Sequence, residues 1–524
     1  MSLLSTLARL EAVRSGRAEP LATVRHRHLA ERPMVLVPLA AAGEAGAPLA
    51  VMYGTDRAAP RLDFVPQPLN RAQRFEFLAR FAAELLPYLE QFGSEVEQVE
   101  ASEKDAETGE KTQVFRELCV DAPQLIVPNP GAVRHLALLG RSTRFRRTAE
   151  DPDPGQYPAP TQVPLFGRWL THLTERAQVP GASLLLPMTG LLARHWATGQ
   201  SHLEDQHLAA QLAWHRRPAP LTGAEAAERA ESARDERGQL LHPPAGPATD
   251  PAFDELVLAP AIARHDAAQT ALATATGGQE RAELLLKAAT EQLAAALESV
   301  LLPTWHDVWQ GIDLLRALPP AAHLADRWES DRWSYTGHRD RLAAGEPPQP
   351  KQDDAVTAAR KLAQREREQT RVEVQEALDD PLAMAEYRLA GEAFSGVVEE
   401  VTPDYDTSGR SPKPRPLVTV RTADRPHADA GREVHRVGGP TAQRAVIVAG
   451  DLAAGTVTVR VVSGMGRKKE PEPGSLPEPG EAVTFTLFEL APRQSAPLPE
   501  PEETPWTHGG PPGGGAASPE EEWE

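Results

Sequence analysis

From Ala393 onward the apolar residues of this 524-residue chain change period, and that switch limits what the chain can fold into. Through residues 162–392 before it, apolar positions mostly recur every three or four residues, as on a helix face. After it, Thr456-Val-Thr-Val-Arg-Val-Val462 and Val483-Thr-Phe-Thr-Leu-Phe488 alternate or nearly so. That is the mark of strands burying one side. The runs Phe394–Val401, Pro416–Thr422, Ala445–Val448, Gly455–Ser463 and Ala482–Leu490 are short and rich in Val and Thr. They predict a small β-barrel, OB-like, or a sandwich over residues 393–490.

The rest of the chain divides by composition. Residues 1–150 read as a small α/β region. Pro33–Leu39 and Pro48–Tyr53 suit a strand hairpin, and Arg71–Phe92 suits a helix with two apolar lines. Pro87 is expected to kink that helix or end it early. Gln124–Pro128 reads as a further strand. Asp151–Thr161 carries four prolines and reads as a linker. Residues 162–392 then look mainly helical, with helices expected at Phe166–Arg176, Ala182–Thr198 and His202–His215. Glu280–Leu302, Trp305–Leu315 and the highly charged Asp354–Asp380 extend the series. Residues 491–524 are Pro, Gly, Ser and Glu with few core-forming side chains, so the tail is expected to be disordered. The fold class is therefore α+β and multidomain.

Charge is distributed unevenly. Arg410–Lys469 holds twelve Lys/Arg against four Asp/Glu, whereas Glu470–Glu524 holds twelve acids and one base, Arg493, in a chain of net charge −19. A basic β-module in an acidic chain points to polyanions, single-stranded nucleic acid above all. The candidate contacts are Arg410, Lys413, Arg415, Arg421, Arg425, Arg432, Arg436, Arg444, Arg460, Arg467, Lys468 and Lys469. Aromatics for base stacking are few: Phe394 and Tyr405 near the start, Phe485 and Phe488 near the end.

The tail offers a second kind of contact. Glu520, Glu521 and Glu522 beside Trp523 combine steering charge with one aromatic anchor, a pattern suited to docking on a protein. Gly509–Gly515 followed by Ser518–Glu524 resembles the Gly/Pro linker and acidic tip of bacterial single-stranded DNA-binding proteins. The tip here ends in Trp-Glu instead of Pro-Phe. The resemblance implies docking of partners on the tip.

Chemistry is harder to find. The single cysteine, Cys119, rules out a disulfide within the chain and suits a reducing compartment. There is no Gly-x-x-x-x-Gly-Lys-Ser/Thr loop, no Gly-x-Ser-x-Gly elbow and no His-Glu-x-x-His. His26 and His28 share a strand face without a third ligand nearby, and His202 and His207 are five apart, a poor helical metal pair. Trp305-His306-Asp307-Val-Trp309 and the Trp/Arg-rich Asp326–Asp340 read as core packing first. No catalytic residue, metal or cofactor is assigned. No apolar run reaches the roughly 20 residues of a membrane span, and no secretion signal is evident. The expectation is a cytoplasmic, non-enzymatic accessory or scaffold protein. It contacts single-stranded nucleic acid through the barrel and proteins through the helical region or tail. The alternative is a protein-interaction scaffold whose basic module meets an acidic partner or its own tail. A third is an enzyme whose site is gathered from distant residues.

Overall fold

The computed structural model describes the chain except residues 1–2, 42–45, 105–110, 201–206, 217–219, 409–411, 440–442, 452, 467, 469 and 492–524. Two compact units result. The first comprises Met1–Gln178, Ala182–Gln349 and Asp379–Ala383, and the second Val179–Gly181, Pro350–Leu378 and the chain from Met384. The first unit runs on through the 151–161 segment. The break falls near residue 350.

In the first unit, helix α1 (Leu3–Ser15) buries Ala12 and exposes Leu3, Leu7, Leu10 and Val13. Strands β1 (Met34–Ala40) and β2 (Pro48–Gly54) form the antiparallel hairpin read from the sequence, and β3 (Arg61–Phe64) joins the edge of β2. Helix α2 (Arg71–Glu90) starts at Asn70, whose side chain accepts from Gln73 N, and it runs past Pro87 to Glu90. Its two apolar lines are both buried, through Phe77, Leu78, Phe81, Leu85, Tyr88 and Leu89. Strands β4 (Val96–Lys104) and β5 (Lys111–Cys119) make a separate two-stranded ladder. Strand β6 (Leu125–Val127) lies parallel to β1.

What ties residues beyond 161 into this unit is β7 (Leu185–Pro187), which lies parallel to β6 and completes the sheet β3-β2-β1-β6-β7. The sequence reading made Ala182–Thr198 one helix. Leu184, Leu185 and Leu186 are buried in a row, and a continuous apolar run does not distinguish a fully buried parallel strand from a buried helix. Helix α3 (Pro130–Thr143) passes α4 (Val163–Arg176) closely. A Cβ on Gly167 would lie 2.5 Å from Arg144 N, which leaves room for glycine alone. Helix α5 (Met188–His195) follows β7 directly. Helix α6 (Gln279–Arg316) joins the two segments read separately around Pro303, and it buries Leu293, Leu297, Leu301, Trp305, Val308 and Ile312. Helix α7 spans Leu324–Ala343.

Polar side chains hold the segments of this unit together. Gln124, fully buried, accepts from Ala30 N and donates to the carbonyls of His28 and Ser183, each at 2.8–2.9 Å. Asp331 accepts from Ser183 N (2.6 Å) and Arg176 Nε (2.7 Å). Asp379 and Asp380 fold with this unit although they stand far along the sequence. Asp379 accepts from His323 N and Arg327 Nη2. Asp380 accepts from Thr23 N and Oγ1 and faces His26 Nε2 at 3.2 Å. Burial opposes ionisation of Asp380. Hydrogen bonds from His26, Leu382 N and Thr23 outweigh it and bring its pKa down to about 2.

The second unit carries α8 (Ala355–Asp379) as far as Leu378, and α9 (Pro381–Leu389) from Met384. Then come β8 (Ala393–Thr402), β9 (Leu417–Arg421), β10 (Glu433–Arg436), β11 (Gln443–Asp451), β12 (Thr456–Val461) and β13 (Ala482–Thr486). They close into a six-stranded antiparallel barrel in the order β8-β9-β12-β11-β10-β13. The meander β10-β11-β12 with β9 beside β12 is a Greek-key order. An OB barrel has five strands, so the six-stranded closure departs from that expectation. The strand the sequence reading lacked is β10, four residues with three of them charged or His. Phe394 lies opposite Phe485 across β8 and β13, the rings stacked at 5.4 Å in the core.

Seven tryptophans, at 169, 196, 214, 305, 309, 328 and 333, fall in the first unit, and residues 350–491 contain none.

The first unit also buries neutral histidines. Burial lowers His28, His195 and His215 to about 4 and His338 to about 3, and it takes His172 well below its ordinary value. His172 and His338 stack face to face at 4.1 Å. A depressed histidine leaves the folded state neutral while the unfolded chain takes up a proton below about 6.5. Its stabilising effect is therefore complete above about 6.5, shrinks as the pH falls, and is fully gone near the folded pKa of about 4. Asp380, depressed as an acid, adds a second loss only below about 4. At about 1.4 kcal/mol per unit, His195 alone accounts for about 3 kcal/mol. The thermal midpoint of the first unit, followed by calorimetry, should fall steadily between pH 6.5 and 4.5. A flat profile over that window would contradict this account.

Candidate functional site: a groove at the end of the barrel

Strand closure decides where the basic residues sit. Positions facing inward along the strands are filled by Val, Ile, Ala and Phe, so charged side chains are left on the outside or at the ends. Arg421 pairs with Glu399, the extra residue of a bulge in β8. Arg444 reaches Glu433 (3.4 Å) and Ser463 Oγ, and Arg460 reaches Asp404 (3.4 Å). Arg388 on α9 grips Asp424 through two bonds of 2.7 and 3.0 Å. Arg415 donates to the carbonyls of Pro414 and Val462.

Arg436 is not on the surface at all. It is 6% exposed and is held by Glu481 (2.6 Å), Gln443 Oε1 and Ser475 O. A guanidinium so enclosed cannot meet a phosphate, and the expectation for Arg436 is corrected accordingly. Lys413 is exposed opposite Asp406 in a two-residue ladder. Lys468 is exposed. Arg410, Arg467, Lys469, Glu520, Glu521, Glu522 and Trp523 lie outside the described residues.

The four aromatics considered for base stacking divide in the same way. Phe394 and Phe485 are core residues, and Phe488 packs on Tyr387 at 4.7 Å. Tyr405 alone of the four is exposed, at 44%.

Two arginines behave differently. Arg425 and Arg432 are exposed, and neither guanidinium meets a carboxylate among the described residues. They flank His427 in the loop between β9 and β10. That loop forms one side of a groove of about 410 Å³ lined by Ala390, Gly391, Glu392, His427, Arg432, Leu487 and Phe488.

The groove is built from the end of α9. Gly391 has φ +73°, its N–H donates to Arg388 O (3.2 Å), and Glu392 N donates to Tyr387 O (2.8 Å). These are the two bonds of a Schellman termination, whose left-handed residue is normally glycine. The same glycine lets the loop come close. His427 N donates to Gly391 O, and a Cβ on Gly391 would lie 2.6 Å from the His427 ring. On the other wall Leu487 N donates to Glu392 O (2.8 Å) and sets Leu487 and Phe488 in place. The groove is thus lined by the guanidinium of Arg432, the imidazole of His427, the apolar side chains of Ala390, Leu487 and Phe488, and one carboxylate, Glu392. Burial, then the charges of Glu373, Glu392, Glu386 and Glu376, push the neighbouring Tyr387 up to about 12.

Sequence reasoning named Arg425 and Arg432 but missed Gly391, Glu392, His427 and Leu487. The glycine just past a helical pattern is the one signal that could have found the site. His427 has no sequence pattern around it.

The other clusters singled out in the sequence resolve into packing. Trp305 and Trp309 are core, and Asp307 pairs with Arg216. In α7, Tyr335 OH donates to Leu89 O and Trp328 Nε1 to Asp121. His28 stacks on Trp328 at 3.8 Å while His26 turns to Asp380, so these two histidines do not converge. No group of three or more His, Cys, Asp or Glu fit to hold a metal is found among the described residues. No described helix is long and apolar enough to cross a membrane.

Comparisons with known protein families, with curated proteins and with solved structures return no match.

The arginines should separate in a stability measurement. Arg436→Met is expected to cost about 2 kcal/mol, because it leaves buried acceptors without a donor. Arg421→Met, at an exposed pair, should cost about 0.5 kcal/mol or less. Equal calorimetric shifts would show that Arg436 is not held inside. Gly391→Ala should destabilise the barrel by about 1–2 kcal/mol through its positive φ alone, before the clash with His427 is counted.

Proposed function

We propose that this chain is a binding protein and that the barrel groove takes a short acidic segment of a protein carrying an aromatic or apolar anchor. One observation carries this reading. Among the barrel arginines, Arg421, Arg436, Arg444 and Arg460 are matched by carboxylates of the same unit. Arg415 is engaged by backbone carbonyls, and Arg425 and Arg432, which meet no carboxylate among the described residues, stand in one loop beside the groove. A paired surface arginine has little left to offer a phosphate backbone. An unpaired one beside an apolar floor can gain a charge-assisted hydrogen bond while a neighbouring side chain is buried. The 393–490 module as a whole holds twelve bases and thirteen acids, so it has no large net positive field. That balance favours a local contact over electrostatic attachment to a long polyanion.

A second reading keeps single-stranded nucleic acid as the ligand. It draws on the exposed Tyr405, whose ladder sets Asp406 opposite Lys413. An exposed aromatic next to a lysine can stack a base and contact a phosphate.

Titration of the full chain with a fluorescently labelled Glu-rich, Trp-containing peptide and with a labelled single-stranded oligonucleotide separates the two. The acidic-segment reading expects peptide binding that weakens about tenfold or more in the double variant Arg425→Glu, Arg432→Glu and is unaffected by Tyr405→Ala. Oligonucleotide binding that falls steeply with salt, weakens in Tyr405→Ala and is untouched by the groove variant would replace it.

A further inference from the structure

We infer that the acidic segment that fits the groove is this chain's own C-terminus, Glu520–Trp523, so that the groove is occupied in cis until a competing acidic segment displaces it. This rests on the proposed function above and adds the identity of the occupant.

The argument begins with where the tail starts. The groove floor includes Leu487 and Phe488, and the tail departs three residues later, after Ala491. The 28 residues from 492 to 519 can span up to roughly 95 Å. Length therefore places no obstacle between Glu520 and a groove beside the point of departure. Tethering on that scale gives an effective concentration in the millimolar range, so even a contact of about 100 μM affinity would be mostly made.

Chemistry selects the tip. Glu520, Glu521 and Glu522 complement Arg425 and Arg432, neither of which meets a carboxylate among the described residues. Trp523 complements the apolar floor at Leu487 and Phe488. Glu392, the carboxylate that lines the groove, repels acid from its own side. It thereby fixes the direction of the segment, with acids toward the 425–432 loop and the indole toward the floor.

The test uses the full chain, the chain ending at Ala491, and a labelled peptide of sequence Ser518–Glu524, read by fluorescence anisotropy at low salt. Removing 492–519 along with the tip frees the groove, so the truncated chain should bind the peptide about tenfold more tightly than the full chain, for a millimolar tether acting against a contact of about 100 μM. A full-length variant with Glu520→Lys, Glu521→Lys, Glu522→Lys and Trp523→Ala should show the same gain, which guards against a truncation that merely disturbs folding. Arg432→Glu in either background should abolish peptide binding.

If both chains bind the peptide equally, and Arg432→Glu still abolishes it, the groove reading stands and the tail is not its occupant. If neither chain binds this peptide but both bind a Glu-rich, Trp-containing peptide of other sequence through Arg432, the occupant inference fails alone. If no acidic peptide binds to any of the chains, both readings fall. A full chain that sediments as a dimer and becomes monomeric on truncation would overturn occupancy in cis in favour of exchange between copies.

Discussion

A β-strand carries its charges on one side and does not choose what stands across from them. That is settled by the neighbour to which it is hydrogen-bonded. In the second unit six strands close on themselves, so each strand acquires two neighbours and no edge remains free. The order β8-β9-β12-β11-β10-β13 brings Glu399 to Arg421, Glu433 to Arg444 and Glu481 to Arg436. The charge pattern of the barrel strands and the internal position of Arg436 follow from that closure. A different pairing of the same strands would give a different electrostatic surface from the same residues.

This explains why the strand content could be read from the sequence and the charge reading could not. Period-two runs such as Thr456–Val462 report their own conformation, since alternation is local. The basic stretch Arg410–Lys469 looks strongly positive because its boundaries leave out Glu399, Asp404 and Glu481, acids that the fold returns to it. Charge summed over a window describes a surface only where the window and the surface contain the same residues. β10 escaped notice for a related reason: Glu433-Val-His-Arg436 gives strand character to one apolar residue, and closure supplies the rest.

In the first unit the helices with apolar lines, α2 and α6 above all, were legible because each carries its own repeating face. The sheet was only partly so. β7 is a three-residue strand inside an apolar run, and its parallel partner β6 lies nearly 60 residues earlier, a pairing that no local pattern announces. The same limit applies to Gln124, whose amide joins three separate stretches of chain, and to Asp379 and Asp380, which close against Arg327 and Thr23. These buried polar groups are satisfied by partners distant in sequence. Their loss would leave carbonyls, amides or carboxylates desolvated without compensation.

The placement of the tryptophans gives the molecule an optical asymmetry. Indole emission from the folded body arises from the first unit, since residues 350–491 contribute none. Far-ultraviolet circular dichroism reports the helices and the barrel together. Once Trp506 and Trp523 are replaced, the two signals monitor different parts of one intact chain. A melt in which they coincide describes a single cooperative body, and one in which they separate describes two units that unfold independently.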